Sequence, residues 1–241
     1  MNTFKTLLFA IVALSFSVAT FTEAQEMNDK LSLSAKQRSI VTIAAFTASG
    51  DMQKLKTVLN EGLDAGLTVN EVKEVLVQMY AYAGFPRSLN GIGTFMGVLD
   101  ERKQKGIKDE IGREASPLPA GKSSIELGTE IQTRLAGRPV TGPIYAFAPV
   151  IDQFLKGHLF GDIFGRDVLD YRSREIATIS ALANMTGVDS QLQAHFNIGL
   201  NVGLTEAQMR SLISVLKAKV GTKEADNANE LLGKVLSSRA K

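Results

Sequence analysis

Apolar side chains recur at helical spacing along most of the chain. Val72, Val75, Leu76, Met79, Tyr80 and Ala83 fall at i, i+3, i+4 and i+7, one stripe on a helix. Leu55, Val58, Leu59, Gly62 and Leu63 trace another just before it. Gly66 stands where a helix would end in a left-handed residue. Thr68 with Glu71 then forms a capping box that opens the next helix. Farther on, Ile176, Ile179 and Ala183 mark a helix, followed by Leu192, Phe196 and Gly199, then Met209, Leu212, Ile213 and Leu216. Thr205 and Gln208 give a second capping box. No two alternating apolar–polar segments flank a hairpin turn, so the pattern predicts an all-α protein.

The stripes belong to an internal duplication. Residues 33–68 match 169–205, at an offset of 136 from Arg38 to Arg174 that becomes 137 from Gly66 to Gly203 after one inserted residue near Thr186. Gly62-Leu63 matches Gly199-Leu200, and weaker matches run through Gly84/Gly221, Asn90/Asn227 and Val98-Leu99/Val235-Leu236. That period exceeds any solenoid unit and predicts a tandem duplicated helical domain. The expected division is an export signal at 1–24, a first repeat at 25–110, a Pro/Gly-rich connecting segment at 111–168 and a second repeat at 169–241. The connecting segment holds Pro117, Pro119, Pro139, Pro143 and Pro149. Ser123 and Glu126 cap one helix inside it, carrying Leu127, Ile131 and Leu135 and ending before Gly137; a second starts at Pro149. Phe147, Ile151, Phe154, Leu155 and Phe160 make it too apolar for a solvated linker, so it is expected to pack along both repeats.

Composition removes several function classes. The 241 residues carry a net charge of +2, which gives no basic field for nucleic acid. Cysteine is absent, which excludes disulfides, thiol nucleophiles and Cys-ligated metals. His158 and His195 are the two histidines, too few for a multi-His metal centre. Lys5 precedes an uncharged run from Leu7 to Phe21, and Thr22-Glu23-Ala24 places small residues where a signal peptidase reads. Cleavage after Ala24 and an exported, periplasmic or secreted protein, without a membrane segment after cleavage, are the expectation. The run is short for a spanning helix.

The ordered motifs resemble a known family. Copy 1 carries Gly62-Leu-Asp-Ala-Gly66-Leu-Thr-Val-Asn-Glu71-Val-Lys-Glu74 and Tyr82-Ala-Gly84-Phe-Pro86; the middle carries Phe160-Gly161-Asp162-Ile163-Phe164-Gly165-Arg166. Copy 2 carries Arg172-Ser-Arg174-Glu175-Ile176 and His195-Phe-Asn-Ile-Gly199-Leu-Asn-Val-Gly203-Leu-Thr. Together they resemble the carboxymuconolactone decarboxylase family, which includes the alkylhydroperoxidase D-like proteins, in its two-copy form. The resemblance implies an all-helical fold assembled into trimers or hexamers, and for this chain a homo-oligomer, a trimer above all. The family's redox branch places a Cys-x-x-Cys pair seven and four residues before its motif histidine. Here those places hold Val188 and Gln191, and Asp51 and Lys54 in copy 1. Without a thiolate, peroxidase chemistry is excluded.

The decarboxylase branch needs neither cysteine nor cofactor. As the resemblance implies it, an unsaturated lactone acid loses carbon dioxide and a protein acid reprotonates carbon. His195 matches the motif histidine and Glu175 the upstream glutamate; both border the apolar stripes of predicted helices. Arg166 and Arg174 are candidate carboxylate clamps, because a guanidinium fork fits a carboxylate. Tyr82 is a candidate pocket residue. Arg174 has a counterpart in Arg38, which favours a structural role, and copy 1 has Val58 at the histidine's place. His158 reads as a surface loop residue. The expected activity is cofactor-free general acid/base chemistry on a small organic acid. The alternative is a non-enzymatic binding or assembly module on the same fold.

Overall fold

The computed structural model describes residues 32–240, so the expected export signal lies outside them. Among these residues every regular element is helical. The first copy forms α1 (Ala35–Ser49), α2 (Met52–Asp64), α3 (Val69–Ala83) and α4 (Phe85–Gln104). The connecting segment forms α5 (Ser124–Ala136), α6 (Pro143–Phe147) and α7 (Pro149–Gln153), which runs into a π-helical segment, Phe154–Ile163. The second copy forms α8 (Tyr171–Ala183), α9 (Asp189–Asn201), α10 (Glu206–Lys219) and α11 (Thr222–Arg239). The duplication is thus visible helix by helix.

The centre of the molecule is α1 packed on α8. Every residue from Ser39 to Ala48 and from Arg174 to Ala183 is buried. Ala44, Ala45, Ala48, Ala177 and Ala181 keep both surfaces low, which lets the two helices lie close. A helix covered on all sides carries no single stripe. Periodicity therefore marked the outer helices better than these two. The outer helices lay their apolar faces on this pair, and both repeats share one continuous core. The capping boxes at Thr68/Glu71, Thr205/Gln208 and Ser123/Glu126 are formed. Gly66 and Gly203 take φ of +90° and +91°, where a side chain would be strained.

The connecting segment packs against both copies. Leu127, Ile131 and Leu135 of α5 meet Leu159, Phe160, Ile163 and Phe164 in a second apolar cluster. Tyr80 and Tyr82 from the first copy, and Tyr171, Ile198 and Val202 from the second, close over it. The Asn70 side chain ties the strand of chain leaving α4 by donating to the Gly112 and Arg113 carbonyls at 3.3 and 3.2 Å. One expectation is corrected here: His158 is not in a loop. The helix that starts at Pro149 continues in π geometry, and His158 sits on it, its Nδ1 2.8 Å from Asp162.

Two glycines permit the α5 crossing. A Cβ on Gly128 would lie 1.6 Å from the Lys156 carbonyl oxygen, and one on Gly161 would lie 2.3 Å from that of Ser124. Backbone stands directly against backbone, so neither neighbour can move aside as a side chain would. Gly128→Ala is therefore expected to lower unfolding free energy by at least the ~1–3 kcal/mol typical of overpacking. Gly233→Ala, at a helical position with nothing within 4 Å of its Cβ, should raise it by up to ~1 kcal/mol. Urea denaturation of the two variants checks the contrast.

Candidate active site

Glu175 lies in the second turn of α8 and faces α9, where His195 occupies the middle of the helix. His195 Nδ1 stands 2.7 Å from Glu175 Oε2. The Glu175 side chain is wholly buried and the His195 side chain 11% exposed. With Glu175 ionised, Nδ1–H donates to it, which fixes the tautomer and leaves Nε2 for a reactant. Nε2 has no hydrogen-bond partner among the described residues. Glu175 Oε1 is buried without a partner. Such an atom is costly in a finished core and is a reason to look for chemistry.

Tyr82, next to the end of α3, comes from the other repeat. Its ring meets the His195 ring edge-on, with centroids 5.6 Å apart and planes at 80°. The phenol oxygen is buried and has no hydrogen-bond partner. Burial, and then the charge of Glu175, hold the phenol above its ordinary value, with Thr178 and Arg174 opposing weakly. Tyr82 is therefore a neutral donor at physiological pH. The pair and the tyrosine form one polar cluster at the junction of the repeats.

The two predicted clamps go elsewhere. Arg174 points away from Glu175 towards α3. Its Nη2 donates to Glu74 Oε2 at 3.0 Å and to the Arg166 carbonyl at 2.7 Å, and its Nη1 donates to Gln78 Oε1 at 3.0 Å. The Phe164 ring covers the guanidinium at 5.7 Å. The side chain is fully buried, whereas its repeat counterpart Arg38 is exposed and donates to the Leu33 carbonyl. The parallel with Arg38 was thus no guide to its environment. Arg166 donates through Nε and Nη2 to Glu74 Oε1 at 2.8 and 2.5 Å, but keeps 40% of its side chain exposed. Its Nη1 has no partner among the described residues. Arg166 can therefore reach a solvent-borne carboxylate in a way Arg174 cannot.

Sequence reasoning passed over Glu74 and Gln78. Glu74 is the buried anion that both arginines need, and Gln78 also donates to the Arg174 carbonyl and Thr178 Oγ1 at 2.9 Å each. The signal was present: Glu74 and Gln78, spaced i and i+4, stand with Lys73 as the polar residues among the apolar ones from Val72 to Met79.

The repeat also explains how copy 1 manages without the pair. The helical register places Ser39 opposite Glu175 and Val58 opposite His195; both are buried, and Ser39 Oγ turns back to the Ala35 carbonyl at 3.2 Å. The frame is complete with a hydroxyl and a methyl pair at these positions. Removing His195 alone is another matter, because it would strand a buried carboxylate. His195 can be exchanged without stranding that charge only if Glu175 changes with it.

Among the described residues no group of three or more His, Cys, Asp or Glu side chains is placed to hold a metal. No helix among them is long and apolar enough to cross a membrane. A model of the carboxymuconolactone decarboxylase family matches residues 18–93 and 149–233. The chain belongs to the carboxymuconolactone decarboxylase family. The two matched segments agree with a two-copy member, one copy holding Val58 and the other the Glu175–His195 pair. A search of curated proteins gives no match.

Glu74 sets a measurable pH dependence. Burial alone would raise its carboxyl, but Arg166 and Arg174 override this and hold it below the ordinary 4.5. A depressed carboxylate stabilises the fold above its unfolded pKa, and that contribution disappears as pH falls through the lower folded value. Glu74→Gln should cost about 3–5 kcal/mol at pH 7, since it leaves Arg174 buried without its anion. The gap between variant and parent should close as pH drops well below 4.5, where the parent also loses the charge. Thermal melts from pH 7 to pH 3 read both effects.

Proposed function

We propose that this protein acts on a small unsaturated organic acid by general acid/base chemistry, with the His195–Glu175 pair as its working group. The observation that carries the reading is the pair itself. An ionisable couple at 2.7 Å occupies a site that the duplicated half fills with Ser39 and Val58, so folding does not call for it. In this reading the imidazole carries a proton on each nitrogen: Nδ1–H stays on Glu175, Nε2–H delivers its proton to carbon, and the ring regains it from solvent. As carbon dioxide leaves, the electrons of the breaking C–C bond enter the conjugated system, and the proton from Nε2 quenches them. Tyr82 donates from the wall, and the unused Nη1 of Arg166 meets the substrate carboxylate. The binding-module reading rests on a different observation: Glu74 already pairs with both arginines. Export, on the strength of the Leu7–Phe21 run and Ala24, belongs to the same proposal.

The test is a stabilisation screen against unsaturated lactone acids and unsaturated dicarboxylates, followed by turnover assays of the hits. A specific ligand raises the melting temperature by mass action. Glu175→Gln is expected to cut turnover by 10²-fold or more, in line with loss of an oriented general acid. His158→Ala should match the parent. Equal turnover in both variants would overturn the role of the pair, and a binder that is never turned over would place the protein with the binding modules.

We also propose a homo-oligomer, with three chains standing for six single copies. Phe85, Leu89 and Met96 form an exposed apolar ridge on α4, each more than 60% exposed. Phe147 at 91% and Phe154 at 62% extend the apolar surface on the connecting segment. Tyr80, stacked on Phe85 at 4.3 Å and 5.5 Å from His158, joins the two areas. Contiguous patches of this kind mark protein interfaces. Light scattering should give a trimer, and Leu89→Lys with Phe147→Asp should give monomers. A parent that is monomeric at micromolar concentration contradicts this.

A further inference from the structure

An open cavity of about 410 Å³ lies between the end of α5, the start of α8 and the end of α9. Arg134, Tyr171, Arg172, Asn201 and Asp170 line it, with Leu135 and Val202 as its apolar floor. Arg134 lies over the Tyr171 ring at 4.9 Å and donates to the Tyr171 hydroxyl. Arg172 donates through Nε to the Val202 carbonyl at 3.2 Å. Neither guanidinium has a carboxylate within ion-pair distance among the described residues. Asp170 caps α8, its Oδ1 accepting from the Ser173 amide at 2.8 Å.

The duplicated copy shows what pairs with the cations at the positions of Arg172 and of Arg239, the partner of Asn201. The register places Lys36 at the position of Arg172, and Lys36 pairs with Glu71 at 3.3 Å. The residue corresponding to Glu71 is Gln208. The register likewise places Arg102 at the position of Arg239. Arg102 pairs with Asp64 at 2.9 Å and Asp109 at 2.8 Å. Asn201 corresponds to Asp64, and Arg239 donates to its Oδ1 at 3.0 Å. The second copy has therefore kept both cations and exchanged both of these carboxylates for amides. An amide preserves the shape of the acid and an acceptor oxygen, and at Asn201 its Nδ2 also donates to the Leu135 carbonyl at 3.0 Å. The consequence of the exchange is charge. Of the residues concerned, Arg172 and Asn201 line the cavity, to which α5 adds a second cation, Arg134.

We infer that this cavity binds the oxyanion of a small organic molecule, a carboxylate or a phosphate, between Arg134 and Arg172. Guanidinium forks suit either group. Tyr171, Leu135 and Val202 supply the contact for the organic part. The site is distinct from the working pair: Tyr171 precedes Glu175 by one turn of α8, and Asn201 follows His195 by under two turns of α9. It stands whether or not His195 transfers protons, because its readout is binding.

Calorimetric titration of the parent with citrate and with phenyl phosphate tests this and separates the two anion sources. Saturable binding of at least one probe is expected. Arg134→Gln and Arg172→Gln should each weaken it tenfold or more. Gln208→Glu, which keeps the capping box and supplies the first copy's anion, should weaken it similarly while remaining folded by circular dichroism. If the arginine variants do not fold, Gln208→Glu alone decides. Glu175→Gln should leave binding unchanged, so that failure here and failure of the proposed chemistry are told apart. No saturable binding of either probe, or binding equal to the parent in Gln208→Glu, overturns the inference.

Discussion

Glu74 holds the three parts of the molecule together. One carboxylate from α3 receives Arg166 from the end of the connecting segment and Arg174 from α8. A buried ion pair gains little over an apolar substitute, but breaking one side of it is expensive. The arrangement therefore acts as a constraint on register more than as a source of stability. It fixes how α3 lies against α8, and Glu175 is the next residue along α8. The direction in which Arg174 is pulled leaves Glu175 facing α9 and His195. Tyr82, two turns beyond Glu74 on α3, is brought to the same place from the first repeat.

Duplication makes the rest interpretable. Both copies build the same four helices, with matching capping boxes at Thr68/Glu71 and Thr205/Gln208 and matching glycine turns at Gly66 and Gly203. Where they differ, the difference is chemical and local. Ser39 and Val58 are buried in one copy's core at the positions that Glu175 and His195 hold in the other's. Carboxylates at Glu71 and Asp64 become amides at Gln208 and Asn201. The frame itself serves as an internal control, since each exchange can be judged against a position that folds without it.

The helical class, the duplication and the caps were legible because they depend on short-range spacing. The burial of α1 and α8 was less so, since helices covered on all sides lack a polar face to mark them. The Glu175–His195 contact could be anticipated from two stripes on successive helices. The fate of the arginines could not. Arg174 and Arg38 stand in the same sequence pattern but in different surroundings, and the deciding partner, Glu74, comes from a helix about a hundred residues away. The π-helical path through His158 was equally hidden, because Gly157 and Gly161 suggest a loop until the close crossing with α5 is seen.

The central claim is that the second copy carries its buried Glu175–His195 pair for chemistry and not for folding. The most direct measurement gives copy 2 the residues of copy 1: Glu175→Ser together with His195→Val, assayed by thermal melting with and without an unsaturated lactone acid that stabilises the parent. The account predicts cooperative melting within a few degrees of the parent, on the order of 1 kcal/mol, and no ligand-induced shift. A double variant that fails to fold, or one that keeps the full shift, would contradict it.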